Sequence, residues 1–165
     1  MSSIRLFGAA SLSVVLGGLL AGGCSSPAVP TESIAVTTLA ESTDAEGGLK
    51  TEATFVIRDA DTLRRVWAQV FGSRTTREVP SVNFNEVIIV IAAMGAEPTT
   101  GYEIKITGAT RRDRGVVVGV TTVSPGPSCA VSQVITYPVA LSRLPRTDAN
   151  VGFEFTRTTR ACTGR

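Results

Sequence analysis

Apolar residues recur at spacings of three and four over one stretch of the chain. They are Leu63, Val66, Trp67, Val70 and Phe71. This period is typical of an amphipathic helix. Asp59 or Asp61 before the stretch can cap the helix, and Gly72 after it can end it. The pattern predicts one helix with Trp67 as a core anchor on its apolar face.

Elsewhere the apolar residues alternate with polar ones or run together, as they do in strands. The segments with this pattern are 33–41, 49–57, 87–94, 102–107, 116–123, 131–141 and 151–156. Segment 87–94 is apolar on both faces, which is typical of a central strand that is covered on both sides. Pro138 lies inside segment 131–141, so we expect an edge or a bulge there.

About seven strands and one helix, with no alternation of strand and helix, predict an α+β fold that is mostly β. We expect an antiparallel sheet or a sandwich-like assembly with one packed amphipathic helix. Residues 111–115 are a charged turn between two predicted strands and indicate a hairpin. No internal repeat and no dinucleotide-binding fingerprint occurs in the chain.

The N-terminus has the layout of an export signal. Arg5 precedes an apolar run over residues 6–20, and Ala21-Gly22-Gly23 leads directly to Cys24. The layout resembles bacterial lipoprotein signals, which implies cleavage after residue 23 and lipidation of Cys24. Leu20 lies four residues before that cysteine, where three is commoner. An ordinary secretory signal and an uncleaved membrane anchor remain the alternatives, although the run is shorter than the roughly 20 residues of a spanning helix.

The rest of the chain divides into a tether and a domain. Residues 24–32 are small, polar and proline-rich, which is typical of a flexible linker. Residues 33–165 are long enough for a single domain with its own core. We therefore expect a protein of the cell envelope that is lipid-anchored to a membrane and faces the extracytoplasmic side.

Composition excludes several kinds of chemistry. The chain has no histidine, so Ser-His-Asp triads, Cys-His pairs and imidazole zinc sites are all impossible. A formal charge of +2 argues against a nucleic-acid binder. The local cluster of Arg111, Arg112 and Arg114 is interpreted as a solvated turn. The sequence implies no metal and no organic cofactor, because the acidic residues at 44, 46, 59 and 61 indicate a turn and a helix cap.

Three cysteines leave an even pair once Cys24 carries a lipid. Cys129 and Cys162 would then form a disulfide in an oxidising compartment. The chain-entropy model gives such a bridge roughly 3–4 kcal/mol of stabilisation. Two free thiols are the alternative.

Several motifs over residues 61–145 are similar to the C-terminal domain of the PrcB family of protease-complex subunits. They are the helix with Trp67, Val82-Asn83-Phe84, Met94-Gly95-Ala96-Glu97-Pro98-Thr99-Thr100-Gly101-Tyr102, Pro125-Gly126-Pro127-Ser128-Cys129, and Tyr137-Pro138. Asn83 stands where the family more usually has aspartate. The resemblance implies a surface module that binds or stabilises a protease or a similar envelope or secreted partner, and it implies no cleavage by this chain.

The turn made of Glu97, Pro98, Thr99, Thr100, Gly101 and Tyr102 is the candidate contact with such a partner. It is also similar to one loop of chagasin-like cysteine-protease inhibitors, which have an asparagine in place of Glu97. The other two loops of those inhibitors have no counterpart here. A tight connection between strands would also explain the residues, since proline restricts φ and glycine permits positive φ.

The sequence leaves four functions to compare. The leading hypothesis is a non-catalytic module that binds a protein partner at the membrane surface. A protease inhibitor that uses residues 97–102 and a purely structural envelope lipoprotein are the alternatives. An enzyme with Asp113 or Ser128 as nucleophile lacks an evident base to activate it.

Overall fold

The apolar patterns fold into eight strands and one helix in a computed structural model of the chain, which describes residues 31–42, 48–72 and 76–162. In chain order the elements are β1 (Glu32–Ile34), β2 (Thr37–Ser42), β3 (Ala53–Ile57), α1 (Ala60–Phe71), β4 (Val87–Ala93), β5 (Glu103–Arg112), β6 (Gly115–Pro125), β7 (Val139–Pro145) and β8 (Val151–Arg160). The expected fold class, mostly β with one helix, is confirmed.

The strands form two four-stranded sheets. The first sheet has the order β1-β5-β6-β8, and the second has the order β2-β7-β4-β3. All neighbouring strands are antiparallel except β6 and β8, which run parallel over ten residue pairs. Parallel neighbours need a long crossover connection, and here the chain passes through β7 of the second sheet between them.

Strand β4 lies in the middle of a three-layer arrangement. Ile89, Ile91 and Ala93 point into a core that they share with the helix. Ile88, Val90 and Ala92 point into a second core between the two sheets. Side chains of a strand alternate between its faces, so a strand buried on both sides must be apolar throughout. The predicted central strand is confirmed.

Helix α1 covers the outer face of the second sheet. Its N-cap is Asp59, whose carboxylate accepts a hydrogen bond from the Thr62 backbone amide at 2.7 Å. That bond and a second one from the Thr62 hydroxyl lower the pKa of Asp59. The ring centroids of Trp67 and Phe71 lie 4.5 Å apart, and Trp67 Nε1 donates a hydrogen bond to the Arg77 carbonyl oxygen. The predicted helix, its cap and the anchoring role of Trp67 are confirmed.

The prediction of one strand over 131–141 is wrong in its first half. Residues 131–138 form a loop with isolated bridge residues at Thr136, which pairs with Glu97, and at Tyr137, and β7 begins at Val139. Strand β7 lies between β2 and β4, so its backbone amides donate hydrogen bonds to both neighbouring strands. Proline has no amide hydrogen, so Pro138 is unsuited to the interior of this strand. Pro138 instead precedes the strand, where its carbonyl oxygen accepts a hydrogen bond from the Met94 amide.

The single strand expected over 33–41 is in fact two. Strand β1 pairs with β5 of the first sheet, and β2 pairs with β7 of the second, with a bulge between Thr38 and Ala40. The two residues between them carry the chain from one sheet to the other. Alternation alone predicts a strand but does not show which sheet the strand joins.

The predicted signal 1–23, the lipidated Cys24 and most of the tether 24–32 lie outside the described residues; Glu32 begins β1. Over the part of the chain that the structure describes, no helix has the length and apolar character to cross a membrane.

Candidate partner-binding surface

Two loops lie side by side at one end of the sandwich, and we call them the paired-loop surface, residues 97–102 and 131–137. The Glu97 and Thr136 backbones exchange two hydrogen bonds, with N···O distances of 2.8 and 3.0 Å. The Thr100 amide donates to the Ser132 carbonyl oxygen at 3.1 Å, and the Ser132 amide donates to the Thr100 hydroxyl at 2.9 Å. The Thr136 hydroxyl donates to the Thr99 carbonyl oxygen. The candidate turn is therefore one half of a hydrogen-bonded pair of loops.

Two glycines shape the approach to this surface. Gly95 has φ +93°, and a Cβ there would lie 2.8 Å from the backbone carbon of Thr51. Gly101 has φ +95°, and its Cβ would lie 3.3 Å from Cγ1 of Val131 in the facing loop. Both backbone conformations favour glycine. Gly101 thus lets the two loops approach closely, which agrees with the tight-connection interpretation of this turn.

A disulfide lies just before the second loop of the paired-loop surface. Cys129 and Cys162 are bonded, with their Cα atoms 4.9 Å apart. The Ser128 hydroxyl also donates a hydrogen bond to the Cys162 carbonyl oxygen. The bridge ties the chain just before the paired-loop surface to the residues that follow β8. The even count of cysteines had favoured this pairing.

The most exposed apolar pair in the described chain lies on the second loop. Val134 and Ile135 are 58% and 61% exposed, whereas the large apolar residues of both cores are almost completely buried. The alternating pattern had placed Ile135 inside a strand, so the sequence missed it as a surface residue. Adjacent exposed apolar side chains on a fixed loop are a feature of protein-binding sites. Val134 and Ile135 are consecutive apolar residues between Gln133 and Thr136, which breaks strict alternation. This break was the sequence feature that could have indicated a loop instead of a strand.

Glu97 lies on the paired-loop surface in an environment that changes the acidity of its carboxyl group. Its side chain is partly buried between the two loops, and this burial raises the pKa of Glu97. The nearby carboxylate of Glu52 raises it further. The protonated form of Glu97 is therefore favoured by the folded protein relative to the unfolded chain.

Replacing Glu97 by glutamine should leave stability unchanged or raise it by less than about 1 kcal/mol at pH 7, since the carboxyl remains partly exposed to water. A raised pKa gives stability that is complete below the ordinary value of 4.5 and is lost as the pH rises through the folded value. The difference between wild type and Glu97→Gln should therefore disappear well below pH 4.5. Chemical denaturation across this pH range measures it, with Glu86→Gln as a control; a loss of stability at pH 7 would contradict the prediction.

The charged hairpin lies at the opposite end of the sandwich. Arg111 pairs with Glu32, and Arg112 pairs with Glu154, in agreement with the solvated-turn interpretation. A concavity of about 650 Å³ opens beside this hairpin, and Arg112, Arg114 and Gly152 are among the residues that line it. Strand β5 separates the hairpin from the paired-loop surface by about 33 Å, at 3.3 Å per residue. The concavity is therefore remote from the candidate turn.

The two candidate nucleophiles are not brought together. Asp113 lies in the hairpin turn, and Ser128 lies beside the disulfide at the other end. Among the described residues, no group of three or more histidine, cysteine, aspartate or glutamate side chains could hold a metal ion.

Comparison with known proteins identifies the segment that carries this surface. Residues 88–145 match the family model described as PrcB C-terminal, which is about a third of the chain. Helix α1 and residues 82–84, which the resemblance in the sequence had included, precede the matched segment. The curated proteins and the solved structures contain no match to the chain. The match runs from β4 to β7 and includes both loops of the paired-loop surface, so this segment of the chain is similar to the PrcB C-terminal domain.

Proposed function

We propose that the chain is a non-catalytic lipoprotein module, anchored through Cys24, that binds a protein partner of a protease complex with the paired-loop surface. The observation that carries the proposal is the exposure of Val134 and Ile135 on a loop that is fixed to residues 97–102 by hydrogen bonds. The PrcB C-terminal match over the same segment supports a partner related to a protease.

The course of the chain supports an outward-facing surface. Strand β1 enters the fold beside Arg111, at the hairpin end, where Glu32 pairs with that residue. The seven residues from Cys24 to residue 30 can span at most about 25 Å when fully extended. An anchor on Cys24 would therefore hold the hairpin end closer to the membrane. The paired-loop surface, a strand length away, would then face the medium and a soluble partner.

The hydrogen bonds favour a composite surface over a single inhibitory loop. An inhibitor of the chagasin type would present the 97–102 turn by itself to an enzyme cleft. Here the Thr100 hydroxyl and the Thr99 carbonyl oxygen are both engaged by the neighbouring loop. The turn therefore contributes one wall of a broader surface, and Val134 and Ile135 contribute its apolar part.

Crosslinking in intact cells tests the proposal. The native chain with a C-terminal tag is crosslinked and purified, and the captured proteins are identified by mass spectrometry. We expect a secreted or envelope protease subunit, and we expect the double variant Val134→Ser, Ile135→Ser to reduce its recovery at least tenfold. Loss of two exposed apolar side chains removes binding contacts without opening a core.

Val79→Ser is the matched control, because Val79 is also exposed, at 40%, but lies outside the paired-loop surface. Its recovery of partner should equal that of the wild type. Equal capture by the double variant, or no captured protein above background, would contradict the proposal and leave a structural envelope role. Protease activity measured with and without the purified chain separates a stabilising subunit from an inhibitor.

A further inference from the structure

Strand β8 is a long edge of the first sheet, and no described strand pairs with its outer side. The other three sheet edges are each restricted: β1 has three residues, β3 has five, and β2 carries a bulge. Strand β8 has ten residues in unbroken register with β6. Proteins commonly keep open edges short or irregular, because a long regular edge can pair with another chain. Strand β8 is an exception within this fold.

The backbone groups that face outward can be assigned from the hydrogen bonds to β6. The carbonyl oxygens of Asn150 and Arg160 both accept bonds from the β6 side, from Val116 and Gly126. Backbone groups of a strand alternate in direction from one residue to the next. The even-numbered residues of β8 therefore bond to β6. The amides and carbonyls of the odd-numbered residues 151 to 159 face the open edge, where the described chain provides no partner.

The charged side chains of β8 are directed away from the open edge. Glu154 pairs with Arg112, and Arg160 pairs with Glu103 at 2.6 Å. Both partners lie on β5, which is on the other side of β6. These two side chains therefore extend across β6, away from the open edge. Arg157 pairs with Glu52 of the segment before β3. Charges on an edge strand normally discourage pairing, but these are held over the body of the protein.

The inner side of the edge is apolar and only partly covered. Val151, Phe153 and Phe155 pack against the core between the sheets, yet each is only partly buried. The Arg157 guanidinium lies over the Phe155 ring at 5.2 Å from its centroid. A strand added along β8 would place alternate side chains beside these residues and would exclude water from the two aromatic rings.

We infer that β8 accepts an extended segment of the partner protein as a fifth strand of the first sheet. The inference rests on the proposed function, since it describes a second contact with the same partner. The fitting segment alternates apolar and polar residues, with apolar side chains beside Phe153 and Phe155. A carboxylate side chain next in the alternation meets Nε and Nη1 of Arg157, since Glu52 engages only Nη2. Main-chain hydrogen bonds hold the segment, and these side-chain positions select it.

A synthetic peptide tests the edge on the purified full chain in detergent. The peptide has ten residues in which valine alternates with threonine, and one glutamate replaces the valine that would face Arg157. Amide hydrogen exchange measured by NMR should slow at least tenfold at residues 153, 155, 157 and 159 when the peptide is saturating. The same peptide with N-methyl groups on its hydrogen-bonding side should have no effect. No slowing at millimolar peptide, or equal slowing by both peptides, would overturn the inference.

Two variants of one edge residue provide the matched pair. Thr159→Pro removes an outward amide and leaves the ladder to β6 intact, so peptide affinity should fall at least tenfold. Thr159→Ala keeps the amide and should bind like the wild type. Should the free chain form a dimer that Thr159→Pro dissociates, the occupant is a second copy and the inference is overturned. The crosslinking experiment with the Val134 and Ile135 variants does not depend on peptide binding to β8. A negative peptide result can therefore be distinguished from a failure of the proposed function.

Discussion

Replacing Cys129 and Cys162 together by alanine should lower the free energy of unfolding by about 3–4 kcal/mol. The disulfide closes a long loop that contains the second half of the paired-loop surface, all of β7 and all of β8. Without the bridge the unfolded chain gains conformational freedom, and the end of β8 is no longer fixed beside residues 126–129. Chemical denaturation of the oxidised wild type and the double variant measures the difference.

Ser128→Ala is the control, because it removes the hydrogen bond to the Cys162 carbonyl oxygen and leaves the disulfide intact. We expect its effect to be about 1 kcal/mol. Wild-type protein reduced with dithiothreitol should unfold like the double variant. A double variant as stable as the oxidised wild type would show that the bridge does not stabilise the fold. Partner capture in the crosslinking experiment should also decrease, because the bridge positions the loop that carries Val134 and Ile135.

Truncating Phe71 to alanine should lower the free energy of unfolding by about 3–5 kcal/mol. Phe71 is 1% exposed, stacks beside Trp67 and lies beneath the Arg77 guanidinium, 5.2 Å from its ring centroid. It anchors the last turn of α1 to the second sheet. The cavity left by the ring adds to the lost burial, since the surrounding residues belong to an antiparallel sheet that cannot collapse into it. Thermal and chemical unfolding measure the change.

Phe71→Leu fills most of the same volume and should cost less than about 1.5 kcal/mol. Val79→Ser changes an exposed apolar residue and should alter stability by no more than about 0.5 kcal/mol. Equal losses for the alanine and leucine variants would contradict the packing explanation. The first sheet and its open edge do not contact Phe71, so peptide binding to β8 should persist in any Phe71 variant that folds.

The helix and the central strand could be predicted from the sequence because each is specified by the pattern of its own residues. Five apolar residues at spacings of three and four can bury one face only as a helix, and Asp59 and Gly72 end it on either side. Strand β4 is apolar throughout because it is covered by the helix on one face and by the first sheet on the other. Glycine in the 97–102 turn and the even pair of cysteines were equally informative, since positive φ and disulfide formation are properties of the residue types themselves.

The strand pairing and the surface were decided by the tertiary structure. Alternation shows that one face of a strand is buried, but the partner and its direction depend on distant residues, as in the parallel pairing of β6 with β8. Segment 131–138 alternates for a different reason. Val131 packs on Gly101, and Tyr137 packs on the helix-side core, so apolar residues recur without a ladder. The sequence by itself therefore determined those elements whose apolar pattern follows directly from which of their faces are buried. Only the tertiary structure decided which edge stays open and that Val134 and Ile135 face the solvent, because those outcomes depend on what each segment meets across the fold.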